Sequence, residues 1–236
     1  MEVVILCGGR GTRMGYDELP KALFLIGDKP ILWHIMNIYS YYGFKNFVLC
    51  LGYNGNKIRE YFLNTKEWDV KFCDTGLDTN TGGRIKRIKD YIKTEHFFVT
   101  YGDGLADINL KKLLSFHKAH NKTATLAAVK PSSPFGIVDI DKRTNLVTNF
   151  EEKPIVDHWI NGGFFVFNKD IFKYMEENDV LEKDTFSRVV KDEELCAYKH
   201  AGFWECMDTY KDNLRLNLLM KKGEAPWVVW KGEKNG

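Results

Sequence analysis

Val3-Val4-Ile5-Leu6-Cys7-Gly8-Gly9-Arg10-Gly11-Thr12-Arg13, followed by Pro20-Lys21, opens the chain, and its change of character at Gly8 decides the architecture. The run Val3–Cys7 shows no polar alternation, so it reads as a strand buried on both faces, as in a parallel sheet. The glycines that follow let the backbone approach a ligand closely and aim several N–H groups into one concavity. Arg13 and Lys21 supply the positive charge that a polyphosphate needs. The blander alternative is a tight strand-to-helix turn with incidental arginines.

Two commoner glycine loops fail on the residues. A dinucleotide fingerprint beginning at Gly9 and Gly11 requires a third glycine where Met14 stands, and an acid after the second strand, where the chain reads Cys50-Leu51-Gly52-Tyr53. A P-loop closes on Gly-Lys-Ser/Thr, whereas this loop closes on Gly11-Thr12-Arg13.

Working outward, the first half alternates β-rich runs near 2–6, 46–50, 69–73 and 96–100 with helical patterns near Pro30–Tyr42, Asn54–Phe62, Gly83–Ile92 and Asn109–His120. That alternation is the signature of βαβ units and a largely parallel sheet, so the fold class is α/β. Ligands of such sheets bind at the carboxyl ends of the strands, where the glycine loop and Gly102-Asp103-Gly104 both fall. From about Thr123 the texture changes to closely spaced strand-like runs, Thr125–Val129, Gly136–Ile140, Leu146–Phe150 and Trp159–Phe167. These predict mixed or antiparallel strands extending the first sheet, with an acceptor pocket beside the nucleotide half. A helix near Thr209–Lys222 closes the fold. The expectation is one domain over 1–236, with a nucleotide-binding half at 1–122 and an acceptor-binding half at 123–236.

The 34 basic and 32 acidic residues leave a net charge of +2, so positive potential must be local, which excludes the broad basic stripe of a nucleic-acid binder. The five cysteines (7, 50, 73, 196 and 206) include no C-x-x-C pair and read as free, buried thiols of a reducing compartment. Gly8 cuts the apolar N-terminus short and no later run approaches membrane-spanning length, so a soluble cytoplasmic protein without membrane contacts is expected.

Asp103 lies between glycines after a strand, so its carboxylate can stand clear at the sheet edge. Asp208, at a strand-to-helix junction, is either a second acid for a cation or a helix N-cap. Two carboxylates with phosphate oxygens and water make a typical Mg²⁺ environment. Asp107 reads as a cap or loop-ordering residue before the Asn109 helix. Glu152-Lys153-Pro154 and Asn161-Gly162-Gly163 are either β-turns or parts of a site: a lysine for a phosphate, a carboxylate and an amide for hydroxyls, glycines for close approach. His34, in an apolar helix, reads as a packed or capping residue.

Taken in order, G-G-x-G-T-R, P-K, G-D, E-K-P, N-G-G and a late Asp resemble the sugar-phosphate nucleotidyltransferases. Lys29–Met36, Asp74-Thr75-Gly76, Thr81–Arg87, Thr100–Gly104, Trp159–Val166 and Gly202-Phe203-Trp204 are most similar to the glucose-1-phosphate cytidylyltransferases among them. The resemblance implies a Rossmann-like mixed sheet between helices, of the nucleotide-diphospho-sugar transferase type. It implies CTP and a phosphorylated acceptor as partners, Mg²⁺ as cofactor, and CDP-linked products of the kind that supply surface polysaccharides. Arg13 and Lys21 would be catalytic. Leu6, Gly8, Gly9, Gly11, Thr12, Arg13, Thr81, Gly82, Arg84 and Asp103 would hold the nucleotide; Arg84 falls in the cytosine-reading segment, and its alternative is a solvated helix residue. Gly136, Glu152, Lys153, Asn161 and Gly162 would hold the acceptor, and Asp103 and Asp208 the metal. Two features depart from the pattern: Arg-Pro-Lys-Pro is replaced by Leu19-Pro20-Lys21-Ala22, and the segment Tyr61–Trp68 passes almost directly into the next strand. They leave open the acceptor (a sugar 1-phosphate or a phosphorylated amino acid) and the size of any homo-oligomer. Use of UTP, dTTP or GTP, and a non-catalytic nucleotide-binding subunit, are the rival readings.

Overall fold

The computed structural model describes residues 1–9 and 19–231. The opening apolar run forms β1 (Glu2–Leu6), buried along its whole length. It is followed by β2 (Leu25–Ile26), β3 (Lys29–Pro30), α1 (Ile31–Tyr41), β4 (Asn46–Leu51), α2 (Gly55–Phe62), β5 (Asp69–Asp74), α3 (Thr81–Arg87), β6 (His96–Tyr101), β7 (Gly104–Ala106) and α4 (Leu110–His120). The second half comprises β8 (Ala124–Val129), β9 (Ile137–Ile140), β10 (Val147–Glu151), β11 (Ile160–Asn168), α5 (Phe186–Lys191), β12 (Leu195–His200), β13 (Trp204–Cys206) and α6 (Tyr210–Lys222).

Seven strands form one sheet in the order β12-β8-β11-β6-β1-β4-β5. β1 pairs in parallel with both β4 and β6, and β4 pairs in parallel with β5. β11 runs antiparallel to β6 and β8, while β12 is parallel to β8. Successive β1 side chains point to opposite faces. Val3 and Ile5 meet the apolar stripes of α1, α4 and α6, including Ile35, Met36, Leu113 and Leu216. Val4 and Leu6 meet Ile85, Phe97, Phe165 and Phe186 on the other side. A strand covered on both faces by helices needs apolar residues at every position, which is why the run does not alternate.

The chain builds outward from β1 through β4 to β5, then returns to lay β6 on the opposite side of β1. The carboxyl ends of β1 and β6 therefore diverge from their connections at a switch point, and a crevice opens there. α6 is set at its start by a reciprocal capping box between Thr209 and Asp212 and stopped by Gly223 at φ 73°. That box fixes where the preceding Asp208 lies.

The first-half strands and helices lie within one or two residues of their expected positions, except that the helix expected at Gly83–Ile92 starts earlier and breaks into α3 and a 3₁₀ turn at Lys89–Tyr91. β8 and β11 extend the sheet as expected. β9 and β10 do not: they pair only with each other, as a hairpin exposed on both faces. The sequence reading also lacked β12 and the short helical segment Leu181–Lys191, both too brief or too mixed to show a period. Cys7, Cys50 and Cys73 are buried free thiols, whereas Cys196 and Cys206 are half-buried. His34 is packed as expected, its Nε2 donating to the Ile26 carbonyl at 2.9 Å while Trp227 Nε1 donates to its Nδ1 at 3.4 Å. Among the described residues no helix is long and apolar enough to cross a membrane.

Candidate active site

At the carboxyl end of β1, the backbone of Gly8 lies against the side chain of Arg84, which rises from α3 beneath the loop. A Cβ at Gly8 would fall 2.3 Å from Arg84 Nη1, so only glycine fits. The guanidinium is buried and grips the surrounding backbone. Its Nη1 donates to Leu51 O at 3.0 Å, Thr75 Oγ1 at 2.7 Å and Gly76 O at 2.8 Å, and its Nη2 donates to Gly8 O and Leu77 O, each at 3.2 Å. Arg84 is therefore no solvated helix residue, because a planar fork of five donors here ties three chain segments together.

A cleft of about 470 Å³ opens above this platform. Leu6, Gly8 and Gly9 form one wall, Thr81 and Arg84 line it from α3, and Lys21, Asp103 and Asp208 close the far side. Gly82 is buried at the α3 start against Asp179, where it contributes packing and does not line the cleft. Gly11, Thr12 and Arg13 lie outside the described residues.

The charged side of the cleft is a three-group cluster. Lys21 Nζ donates to Asp103 Oδ2 at 2.7 Å and to Asp208 Oδ1 at 2.5 Å. Burial by itself pulls the ammonium down, but the Asp103 charge and hydrogen bonds to both acids outweigh it and leave the Lys21 pKa above its ordinary value. Thr209 is the α6 cap, so Asp208 is not: its N–H donates to Asp212 Oδ2 at 3.0 Å and its carboxylate takes Lys21. Asp107 is not a cap either, since Asn109 accepts the Lys112 N–H at 3.0 Å and Asp107 pairs with His200 Nε2 at 3.0 Å.

One site residue escaped the sequence reading. Cys206 Sγ and single carboxylate oxygens of Asp103 and Asp208 lie within 4.8 Å of one another. Burial first, then the Asp103 charge, pushes the thiol well above its usual range, so it stays neutral. The two carboxylates, from separate strand ends and already converging on one cation, suit a hard divalent metal that takes oxygen ligands.

The nucleotidyl transferase family matches residues 2–221. The chain belongs to that family. It is 43% identical over 256 residues to a probable glucose-1-phosphate cytidylyltransferase of Bacillus subtilis, covering 98% of this chain and 100% of the relative. It is 42% identical to the glucose-1-phosphate cytidylyltransferase of Salmonella typhimurium, again over 98% and 100% of the two chains. Among solved structures, HddC from Yersinia pseudotuberculosis complexed with GMP-PN superposes with a TM-score of 0.74 at 23% identity, over 93% of this chain and 99% of that one. A putative glucose-1-phosphate thymidylyltransferase from Bacillus anthracis gives 0.73 at 18% identity, over 93% and 94%. The last two establish the shared fold.

For a nucleotidyltransferase the second cleft is as informative as the first. About 870 Å³ in volume, it runs from Asp208 and Thr209 across Trp204–Cys206 to Pro131–Pro134 and Lys153. Asp208 lines both clefts, so they meet at that acid. Lys153, at φ 51°, lines the second cleft and pairs with Glu152 Oε1 at 2.9 Å. Glu152 Oε2 in turn lies against Gly136, where a Cβ would fall 3.1 Å from it and 2.8 Å from Phe150. Asn161 Oδ1 accepts the Gly163 N–H at 2.9 Å, and Gly162 O accepts Trp204 Nε1 at 2.7 Å. Those two residues shape the bulged start of β11 and hold the Trp204 wall; Gly136, Glu152, Asn161 and Gly162 stand behind the cleft lining.

Proposed function

We propose that this enzyme joins CTP and glucose 1-phosphate to give CDP-glucose and pyrophosphate. The observation that carries the reading is the 42–43% identity, over nearly the whole of both chains, with glucose-1-phosphate cytidylyltransferases. The meeting of two clefts at Asp208 supports it, because the reaction needs two anionic substrates end to end. CTP occupies the first cleft, with its phosphates on Gly8, Gly9, Gly11, Thr12 and Arg13 and its base toward Leu6, Thr81 and Arg84, while Gly82 packs α3 behind them. The sugar phosphate occupies the second, its phosphate on Lys153, with Glu152, Asn161, Gly162 and Gly136 shaping that cleft from behind its lining.

Asp103 and Asp208 hold Mg²⁺, which supplies charge neutralisation at the transferring phosphate. Lys21 exchanges its carboxylate partners for phosphate oxygens and places its ammonium between the two anions. An acceptor phosphate oxygen forms the new bond to the α-phosphorus of CTP as the bond to pyrophosphate breaks in line, with Arg13 stabilising the departing charge. A phosphomonoester is largely a dianion at neutral pH, its second pKa being about 6, so no side chain has to take a proton. The protein works in the cytoplasm, with residues 1–122 mainly for nucleotide and 123–236 mainly for acceptor.

Pyrophosphate release from each of four nucleoside triphosphates against a panel of phosphorylated acceptors tests the proposal. CTP with glucose 1-phosphate should give the highest kcat/KM. A phosphorylated amino acid turning over faster than every sugar 1-phosphate would overturn the acceptor assignment, and a preference for UTP, dTTP or GTP the nucleotide assignment.

A further inference from the structure

Cys206 has no part in the reaction above, yet its surroundings differ from those of the buried core cysteines. β13 pairs antiparallel with β7 so that Cys206 faces Gly104, next to the Asp103 turn. The Met207 N–H donates to Asp103 O at 2.9 Å and locks the two strand ends together. The sulfur thus joins two carboxylate oxygens in a set within 4.8 Å, at a point where the Lys21 ammonium already stands as a cation, 2.7 and 2.5 Å from the acids. Donor atoms sharing one tetrahedral zinc, with Zn–S near 2.3 Å and Zn–O near 2.2 Å, lie about 3.7 Å apart. Side-chain rotations that move these atoms by up to about 1 Å bring them to that spacing once Lys21 has left.

We propose that Cys206 converts the acid pair into a mixed thiolate–carboxylate site for a thiophilic divalent cation, Zn²⁺ above all, so that Zn²⁺ competes with the catalytic metal; this rests on the reading of Asp103 and Asp208 as metal acids. Mg²⁺ takes oxygen donors and gains nothing from sulfur, whereas Zn²⁺ takes thiolate readily and stands far above Mg²⁺ in affinity for nitrogen and sulfur donors. On binding, a Zn–S bond forms, the thiol proton passes to buffer, and the Lys21 ammonium leaves the carboxylates with its charge unchanged. No oxidant or reductant is involved. The physiological consequence is a transferase that free zinc shuts down at concentrations where magnesium is abundant.

The test uses the full chain without nucleotide and Co²⁺ as a chromophoric stand-in for Zn²⁺. Sulfur-to-cobalt charge-transfer absorption should rise to one equivalent, disappear on adding Zn²⁺, persist in equimolar Mg²⁺, and be absent from Cys206→Ser. The same substitution should raise the Zn²⁺ concentration for half-inhibition at least about tenfold at saturating Mg²⁺, since even losing an outer-shell partner costs a metal site about 10- to 100-fold. A charge-transfer band retained in Cys206→Ser, or no band in the wild type, overturns the proposal. Asp103→Asn and Asp208→Asn separate the two readings. If they keep full Mg²⁺-dependent turnover, the acid-pair reading fails; if they lose turnover while wild type shows no sulfur band, only the Cys206 proposal fails.

Discussion

Lys21 is both a proposed catalytic cation and the group that occupies the proposed metal seat, so Lys21→Ala separates two quantities that usually fall together. The ammonium is nearly buried, at 16% side-chain exposure, against 27% for Asp103 and 43% for Asp208. Two unit charges about 4 Å apart interact by roughly 4 kcal/mol at an effective dielectric of 20, and partial exposure at Asp208 brings the net effect well below that. Removing the ammonium leaves two carboxylates facing each other, so the metal-free variant should melt several degrees lower. A divalent cation no longer has to displace Lys21. Nucleotide-free affinity for Mg²⁺ should therefore rise by about tenfold, or about 1.4 kcal/mol, and the rise in melting temperature on adding Mg²⁺ should exceed that of the wild type. Turnover should still drop by about 10²- to 10³-fold, the scale for losing one group that stabilises developing charge. Calorimetric Mg²⁺ titration, thermal melts with and without metal, and saturating kinetics read the three effects. Mg²⁺ binding that weakens in Lys21→Ala would show that Asp103 and Asp208 do not form the cation seat.

Asp103→Asn and Asp208→Asn should each lower kcat at least about 10²-fold in folded protein, which steady-state pyrophosphate release will measure. Lys153→Ala should raise the acceptor KM about 10- to 100-fold and leave CTP affinity nearly unchanged, consistent with loss of one charge-assisted contact worth roughly 1.5–3 kcal/mol; equal weakening of both ligands would contradict the two-cleft division. Arg84→Lys should destabilise by at least about 2 kcal/mol in denaturant melts and raise the KM for CTP, because a single ammonium cannot serve the five acceptors at Gly8, Leu51, Thr75, Gly76 and Leu77. His117, held by His96 Nδ1 at 3.2 Å and Thr125 Oγ1 at 2.8 Å, is pushed down to about 3, by burial first and then by the neighbouring histidines and Lys118. An unfolded histidine titrates near 6.5, so between about pH 6.5 and 3 the unfolded chain holds a proton that the native one lacks. Stability should decline as pH falls through that window, and His117→Gln should flatten the decline in melts across it.

How much of this was legible in the sequence depended on whether the deciding contacts are local. The β1 run and its glycine loop were readable because burial on both faces leaves its mark at every position of five consecutive residues. Asp208 on its own reads as either cap or ligand, although Thr209-x-x-Asp212 is a capping-box signature that assigns the cap to Thr209 and releases its neighbour. The β9–β10 hairpin was misplaced for a different reason. Ile137, Val138, Ile140, Val147 and Phe150 carry the β-rich pattern of a sheet strand, but all stand exposed, so the pattern fixed the conformation and not the partner.

The site itself shows where local reading stops. Arg84 sits in a short helical pattern rich in charge, Arg84-Ile85-Lys86-Arg87, and nothing local separates it from its neighbours; its acceptors come from the ends of β1, β4 and β5, which only the parallel register brings to one point. Cys206 reads as one more apolar strand cysteine until the β13–β7 pairing sets it beside Asp103. Both residues gain their chemistry from strand ends that converge at a switch point. The same convergence that makes Asp103 and Asp208 a pair also gives that pair a sulfur neighbour, so a cation proposed at the acids meets Cys206 as well.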